Sequence, residues 1–173
     1  MSDNGSSPNP DWLAAAVDRY ERPLLRYTQR MTRDVETARD VVQEAFLRLC
    51  REEPASVEGH LAQWLFTVCR RRALDVLKKE SRMKTTTGAE LLDRATIDTT
   101  SAAAERHETT TQILELLERL PAHQQEVVRL KFQGGLSYRE ISNVTGLTAS
   151  NVGYLIHTAI QTLRNQLAPS AST

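Results

Sequence analysis

Residues 136–167 carry the pattern that most limits how this chain can fold: a short amphipathic helix, a glycine turn and a longer amphipathic helix. Ser137 and Glu140 have the spacing of a capping box at the start of the first helix. Gly146 can supply the positive φ that a tight turn between two helices needs, and Thr148 can cap the second helix. The pattern therefore predicts a helix-turn-helix, which makes DNA the default partner.

In the second helix of this motif, apolar residues recur at helical spacing and predict a buried stripe. The polar residues between them should face outward, where a recognition helix meets base edges. These candidate DNA-reading residues are Ser150, Asn151, Tyr154 and His157, and Arg139 is a candidate phosphate contact on the first helix. The alternative interpretation is an ordinary helical hairpin with a glycine at its turn.

Composition favours a soluble, intracellular, all-α protein with one or two small domains in its 173 residues. No apolar run approaches the length of a membrane span, so direct membrane insertion is not expected, and residues 1–10 lack the pattern of a signal peptide. Cys50 and Cys69 both lie in helical patterns and are expected to be reduced. The scattered histidines have no metal-ligand spacing, so neither a metal nor another cofactor is predicted.

The formal net charge is zero, with 22 basic and 22 acidic residues, so no overall positive field attracts DNA. The basic residues are concentrated instead in one short stretch. They are Arg70, Arg71, Arg72, Lys78, Lys79, Arg82 and Lys84. This distribution predicts weak DNA binding by the chain alone and a need for a partner that brings it to DNA.

Along the chain, helical patterns indicate two small helical bundles joined by a flexible linker. We expect a disordered tail over residues 1–10, an N-terminal helical domain over 11–83, a linker over 84–108 with one short helical turn near 90–94, and a C-terminal domain over 109–168 that contains the helix-turn-helix. Pro23 should kink the first helix or start a new one. Residues 52–59 should form a loop, and a long helix should follow over 60–83.

The helix that starts near Asp34 has an unusual outer face. Its polar and apolar residues at i, i+3, i+4 and i+7 form one stripe opposite the buried one. They are Asp40, Gln43, Glu44 and Leu47. Such a stripe is often only a solvated surface, but the apolar Leu47 among acids and amides favours a docking surface for another protein.

The long helix over 60–83 offers a basic surface. Its candidate nucleic-acid contacts are Arg70, Arg71, Arg72, Asp75, Lys78 and Arg82. Basic residues in this arrangement suit single-stranded or distorted DNA, whose phosphates they would neutralise. Trp64 lies near the same line, but we interpret it as a core residue.

The chain resembles the sigma factors of bacterial RNA polymerase, of the small two-domain extracytoplasmic-function type. The resemblance covers residues 12–167. It rests on YERPLLRYTQRMTRDVETARDVVQEAFLRL, on WLFTVCRRRALDVLKK and on LERLPAHQQEVVRLKFQGGLSYREISNVTGL with the helix that follows.

This resemblance implies a non-enzymatic, cytoplasmic protein that binds core RNA polymerase and directs transcription from specific promoters in a stress or environmental response. The stripe of Asp40, Gln43, Glu44 and Leu47 would dock on the clamp helices of the largest polymerase subunit. The basic helix and the loop over 52–59 would melt and read the minus-ten element. The C-terminal domain would bind the flap of the second-largest subunit and read the minus-thirty-five element. Many relatives are held inactive by an anti-sigma factor, which becomes a candidate partner.

Two departures from the family pattern concern the DNA contacts. Family members commonly have an asparagine where this chain has Arg71. The recognition helix usually carries several lysine or arginine residues after its start, whereas residues 153–159 here contain neither. Recognition of the minus-thirty-five element should then depend on the polymerase or on the polar side chains of the helix.

Two other classes of protein compete with this interpretation. A stand-alone helix-turn-helix regulator would normally dimerise, and no heptad seam or self-complementary face is visible. An enzyme would need a phosphate loop, a nucleophile with its base, or a metal cluster, and the sequence contains none of these patterns. Binding to core polymerase separates a sigma factor from a stand-alone regulator.

Overall fold

The computed structural model describes residues 9–87 and 104–167, with side chains described over 9–85 and 110–167. The described residues form the helices α1 (Pro10–Thr32), α2 (Val35–Leu49), α3 (Pro54–Val57), α4 (Leu61–Thr87), α5 (Ala104–Glu118), α6 (Ala122–Phe132), α7 (Tyr138–Thr145) and α8 (Ala149–Leu167). Helices α1–α4 make up an N-terminal bundle and α5–α8 a C-terminal bundle. The all-α fold class with a C-terminal helix-turn-helix is confirmed.

Local sequence signals explain where most helices begin and end. The Asp34 carboxylate accepts a hydrogen bond from the backbone N–H of Thr37 at 2.9 Å and caps α2. Ser137 and Glu140 form the expected capping box at the start of α7. Arg33, with φ of 55°, ends α1 in the left-handed conformation.

Some predicted boundaries differ from the observed ones. No new helix begins at Pro23, because α1 continues through it to Thr32 and the core packing of Leu24 and Tyr27 compensates for the missing N–H. The predicted loop over 52–59 contains the one-turn helix α3. Both ends of the predicted linker are helical, since α4 extends to 87 and α5 begins at 104. Most of the predicted tail, and the predicted turn near 90–94, lie outside the described residues.

The two bundles pack against each other, which the sequence did not predict. One continuous cluster of buried side chains runs from Leu24, Val41 and Phe66 in the N-terminal bundle to Leu130 and Ile141 in the C-terminal bundle. A second, smaller cluster joins α5, α6 and α8 within the C-terminal bundle. The N-terminal and C-terminal halves therefore share a core in this arrangement.

Gly134 permits close approach of the two bundles. A Cβ atom at this position would lie 2.8 Å from the Leu130 carbonyl oxygen, 2.9 Å from Cδ1 of Leu136 and 3.0 Å from Cζ of Phe66. Since Phe66 belongs to the N-terminal bundle, the missing side chain makes room for a contact between the halves as well as for the turn after α6. None of the helices described is long and apolar enough to span a bilayer.

Candidate nucleic-acid and protein-docking surfaces

The stripe on α2 lies at the surface, opposite the side that packs on the core. Asp40, Gln43 and Leu47 are exposed, and 55% of Leu47 is accessible to solvent. The folded protein therefore presents these side chains together on one outward face, where a partner could reach them.

Glu44, the remaining member of the stripe, is only half-exposed because it joins an ion-pair network. One carboxylate oxygen lies 2.6 Å from Nη2 of Arg48, and the other lies 2.6 Å from Nε of Arg72 on α4. Partial burial alone would raise the pKa of Glu44, but Arg48 and Arg72 outweigh it and lower that pKa. Glu44 thus links the α2 stripe directly to the basic helix.

The basic face of α4 is mostly exposed. Arg71, Arg72, Asp75, Lys78 and Arg82 all reach solvent. An open depression lies on this helix. Three of these residues line it, together with two that were not predicted as site residues. The lining residues are Asp75, Lys78, Lys79, Arg82 and Met83.

Met83 was missed as a candidate although it is 62% exposed in the midst of these charges. The signal was present in the sequence as an apolar residue that interrupts a basic run. An exposed thioether beside cationic side chains can contact a base whose phosphate is neutralised nearby.

Arg70 is placed differently from the other basic residues, because it faces the C-terminal bundle. Its Nε donates a hydrogen bond of 2.8 Å to Oε1 of Glu126 on α6, and the same oxygen accepts a 2.8 Å hydrogen bond from the Tyr27 hydroxyl. Burial and the Glu126 carboxylate raise the pKa of Tyr27 well above its usual value, so Tyr27 remains a donor. In this arrangement Arg70 is engaged by protein and not presented to solvent like its neighbours.

Further polar contacts tie the bundles together. Arg30 on α1 forms an ion pair with Glu118 at the end of α5. Asn143 on α7 donates a 3.1 Å hydrogen bond to Gln63 on α4. Sequence reasoning missed all of these partners, because a contact between residues far apart in the chain leaves no local periodicity.

Trp64 is half-buried and packs against the core cluster, as the sequence interpretation held. Part of its side chain is therefore engaged by core packing.

The helix-turn-helix has the predicted local geometry. Gly146 ends α7 with φ of 80°, and its N–H donates to the Ser142 carbonyl at 2.9 Å. The Thr148 hydroxyl accepts a 3.2 Å hydrogen bond from the N–H of Asn151 and so caps α8. The turn thereby fixes the direction of α8 relative to α7.

The outward face of α8 carries the residues predicted to read bases. Ser150, Asn151, Tyr154 and His157 are exposed, and Tyr154 is 66% accessible to solvent. Arg139 is also exposed at the start of α7. Lys131 forms a cation–π contact with the neighbouring Tyr138, with its Nζ 5.4 Å from the ring centre. Phe132 is 63% exposed. These aromatic residues were not predicted as surface groups.

Within the described parts of the chain, no group of histidine, cysteine and carboxylate side chains is arranged to hold a metal ion. The site is instead a set of surfaces: an apolar and acidic stripe on α2, a basic face on α4 and a polar face on α8. This combination suits binding to another protein and to DNA.

Comparisons with known proteins agree with this arrangement. Residues 16–83 match the family description "Sigma-70 region 2" and residues 110–163 match "Sigma-70, region 4". The chain is 29% identical to the ECF RNA polymerase sigma factor SigL of Mycobacterium tuberculosis over 160 residues, covering 88% of this chain and 86% of the relative. It is 24% identical to the RNA polymerase sigma factor SigV of Bacillus subtilis over 156 residues, covering 90% of each chain.

A third relative, the ECF RNA polymerase sigma factor BldN of Streptomyces coelicolor, is 30% identical over 165 residues, covering 93% of this chain and 62% of the relative. Among solved structures, the fold resembles the sigma factor RpoE in complex with the anti-sigma factor NepR from Bartonella quintana. The TM-score is 0.67 at 17% identity, and the alignment covers 94% of this chain and 99% of that one.

The chain belongs to the sigma-70 family of RNA polymerase sigma factors. Within that family it is an extracytoplasmic-function (ECF) sigma factor, which directs promoter-specific initiation of transcription and is not an enzyme.

Proposed function

We propose that the three surfaces divide the work of initiation. The α2 stripe docks on the clamp helices of the largest polymerase subunit, the basic face of α4 opens and holds the minus-ten element, and α8 reads the minus-thirty-five element. The observation that carries this proposal is the exposure of Asp40, Gln43 and Leu47 on α2 beside the exposed cationic face of α4.

The α2 stripe supports docking because it combines one apolar anchor with polar neighbours. Leu47 would fill a pocket on the partner, and Asp40 and Gln43 at its side would fix the register. Basic groups on the partner would complement Asp40 and Glu44.

The α4 face supports contact with melted DNA. Arg71, Lys78 and Arg82 can neutralise phosphates, while the depression beside Met83 offers an apolar wall for an unstacked base. The overall charge of zero makes this contact weak for the free chain, so polymerase docking must supply the local concentration of DNA.

The α8 face supports a recognition mode that depends on few charges. Asn151 can form paired hydrogen bonds with an adenine, and Tyr154 can pack on a thymine methyl group or on the backbone. With Arg139 as the main cationic contact, affinity for the minus-thirty-five element should depend on docking of the bundle to polymerase.

Both DNA-binding bundles must separate before they reach their elements. The minus-ten and minus-thirty-five elements lie roughly 80 Å apart along a duplex that rises 3.4 Å per base pair. The packed arrangement holds α4 against α6 and α7, with Arg70 bonded to Glu126. We infer that it is a form of the protein before promoter binding, that the protein acts in the cytoplasm, and that an anti-sigma factor can bind it.

The direct test is run-off transcription by purified core RNA polymerase, with and without this protein, on a pool of native promoter fragments. Discrete transcripts that depend on the protein are expected. If no transcripts form while the protein alone binds specific DNA, the stand-alone regulator is the better description.

Two substitutions test which surface binds polymerase and which opens promoter DNA. Leu47→Arg should abolish polymerase binding, whereas Ala15→Arg, an exposed apolar position on α1, should not. Lys78→Glu should reduce promoter opening, measured by permanganate reactivity of thymines, with little loss of polymerase binding. Normal transcription with Leu47→Arg would contradict the docking surface, and equal losses of both activities with Lys78→Glu would contradict the DNA surface.

A further inference from the structure

The interface face of α6 contains polar atoms that packing buries without satisfying them. Glu126, Arg129, Leu130 and Gln133 lie at i, i+3, i+4 and i+7 and share one side of the helix. Glu126 bonds to the N-terminal bundle, and Leu130 belongs to the core cluster that joins the bundles. Arg129 and Gln133 must therefore face the N-terminal bundle as well.

Arg129 is 4% exposed, yet among the described residues neither its Nε nor its Nη2 has a hydrogen-bond partner. The Oε1 atom of Gln133 is also buried without a hydrogen-bond partner among the described residues. A buried polar group without a partner loses its hydration and gains nothing in return. Of the three polar residues on this face of α6, Glu126 thus stabilises the interface, whereas Arg129 and Gln133 oppose it.

The charges around Arg129 make burial of its guanidinium less favourable still. Burial and, to a smaller extent, Arg30 on α1 lower the pKa of Arg129 to about 10, although the Glu118 carboxylate opposes the change. Glu118, a neighbour in the same bundle, is paired with Arg30 across the interface. Packing therefore brings a second cation close to Arg129, and the Glu118 carboxylate is shared between the two arginines.

We propose that Arg129 is an opening residue of this sigma factor: packing of the bundles buries its guanidinium with Nε and Nη2 lacking partners and places it near a second cation, and separation returns it to water. The packed arrangement is then reversible, because Arg129 destabilises it while the hydrogen bonds of Glu126 stabilise it. Its consequence for Arg70 and promoter DNA rests on the proposed function, but the opening equilibrium itself does not.

The test is energy transfer between dyes on Cys50, which is exposed, and on N165C in α8, in the full-length chain without polymerase or DNA. Cys69 is buried and stays unlabelled under native conditions. Arg129→Met should raise the ratio of packed to separated molecules about tenfold. Arg129→Lys keeps the buried charge and should stay near the parent ratio. Arg119→Met removes an exposed arginine from the same bundle and should have no effect.

If almost all parent molecules are packed, the same comparison is made in a Glu126→Gln background, where the hydrogen bonds of Glu126 to Tyr27 and Arg70 are weakened. An unchanged or lower packed fraction with Arg129→Met, in a protein that still melts cooperatively, overturns the proposal. If Arg129→Met does not fold, Arg129→Gln is measured in its place, because it also removes the buried charge, and an unchanged packed fraction would then refute the idea. Because no transcription is measured, the result is independent of the assigned DNA contacts.

Discussion

The Glu44 carboxylate on α2 lies 2.6 Å from Nε of Arg72 on α4, so the exposed stripe of α2 is bonded to the basic face of α4. Both side chains remain partly accessible, with 34% of Glu44 and 43% of Arg72 exposed. Each can therefore also contact a partner from its open side. The pair thus joins the two surfaces to which we assign polymerase docking and contact with the minus-ten element.

We expect substitutions of Glu44 and Arg72 to impair different activities. Glu44→Gln should weaken binding to core polymerase, whereas Arg72→Met should spare that binding and reduce promoter opening. Because the pair is half-exposed, each change should alter the free energy of unfolding by less than about 1 kcal/mol. Binding is measured by anisotropy of labelled protein, opening by permanganate footprinting and stability by urea unfolding.

Arg39→Met is the matched control for Arg72→Met, since Arg39 is an exposed arginine paired with Glu36 on α2 itself. It should leave promoter opening intact. If both arginine substitutions reduce opening equally, the effect reflects total charge and not the α4 surface.

Glu126→Gln should release the bundles from each other. The change weakens both hydrogen bonds to Oε1 and leaves Arg70 near an uncharged amide, which costs the packed form about 1.5–3 kcal/mol. The radius of gyration in small-angle scattering should increase, and the free chain should bind single-stranded DNA more tightly at low salt. Glu115→Gln, at an exposed position of α5, should change neither quantity. A compact Glu126→Gln protein with unchanged DNA binding would show that Glu126 does not control Arg70.

Gly146→Ala should destabilise the C-terminal bundle through its backbone. With φ of 80°, Gly146 adopts a left-handed conformation that costs an alanine roughly 1–2 kcal/mol. There is open space around its Cα, so a lower free energy of urea unfolding would report strain and not a clash. Gly59→Ala, which also meets open space but has no positive φ, should be close to neutral. Equal losses from both would point to the added methyl group.

The two cysteines should differ sharply in reactivity. Burial raises the pKa of the Cys69 thiol to about 12, although the neighbouring Thr28 hydroxyl opposes the rise, so almost no thiolate exists near pH 8. Cys50 is exposed at the end of α2. Iodoacetamide at pH 8, followed by mass spectrometry, should modify Cys50 first and Cys69 only after denaturant is added. Equal native rates would contradict the burial of Cys69.

Much of the fold was predictable because its signals are local. The capping box of Ser137 and Glu140, the positive φ of Gly146 and the cap at Asp34 each depend on residues a few positions apart. The exposure of Leu47 and Tyr154 followed from helical periodicity in the same way. The roles of these side chains towards polymerase and promoter stay predictions until the variants are measured.

The helices, the helix-turn-helix and the faces of α2, α4 and α8 follow from the amino-acid sequence, because the 3.6-residue period and the caps are encoded within each segment. Three contacts became visible only in the folded chain: Arg70 turns away from its basic neighbours to Glu126, Glu44 joins Arg72, and Arg129 is buried with Nε and Nη2 lacking partners. Those choices depend on which helices pack together across a long stretch of chain. Packing of this kind is set by the shape and charge of whole surfaces, which no local pattern records.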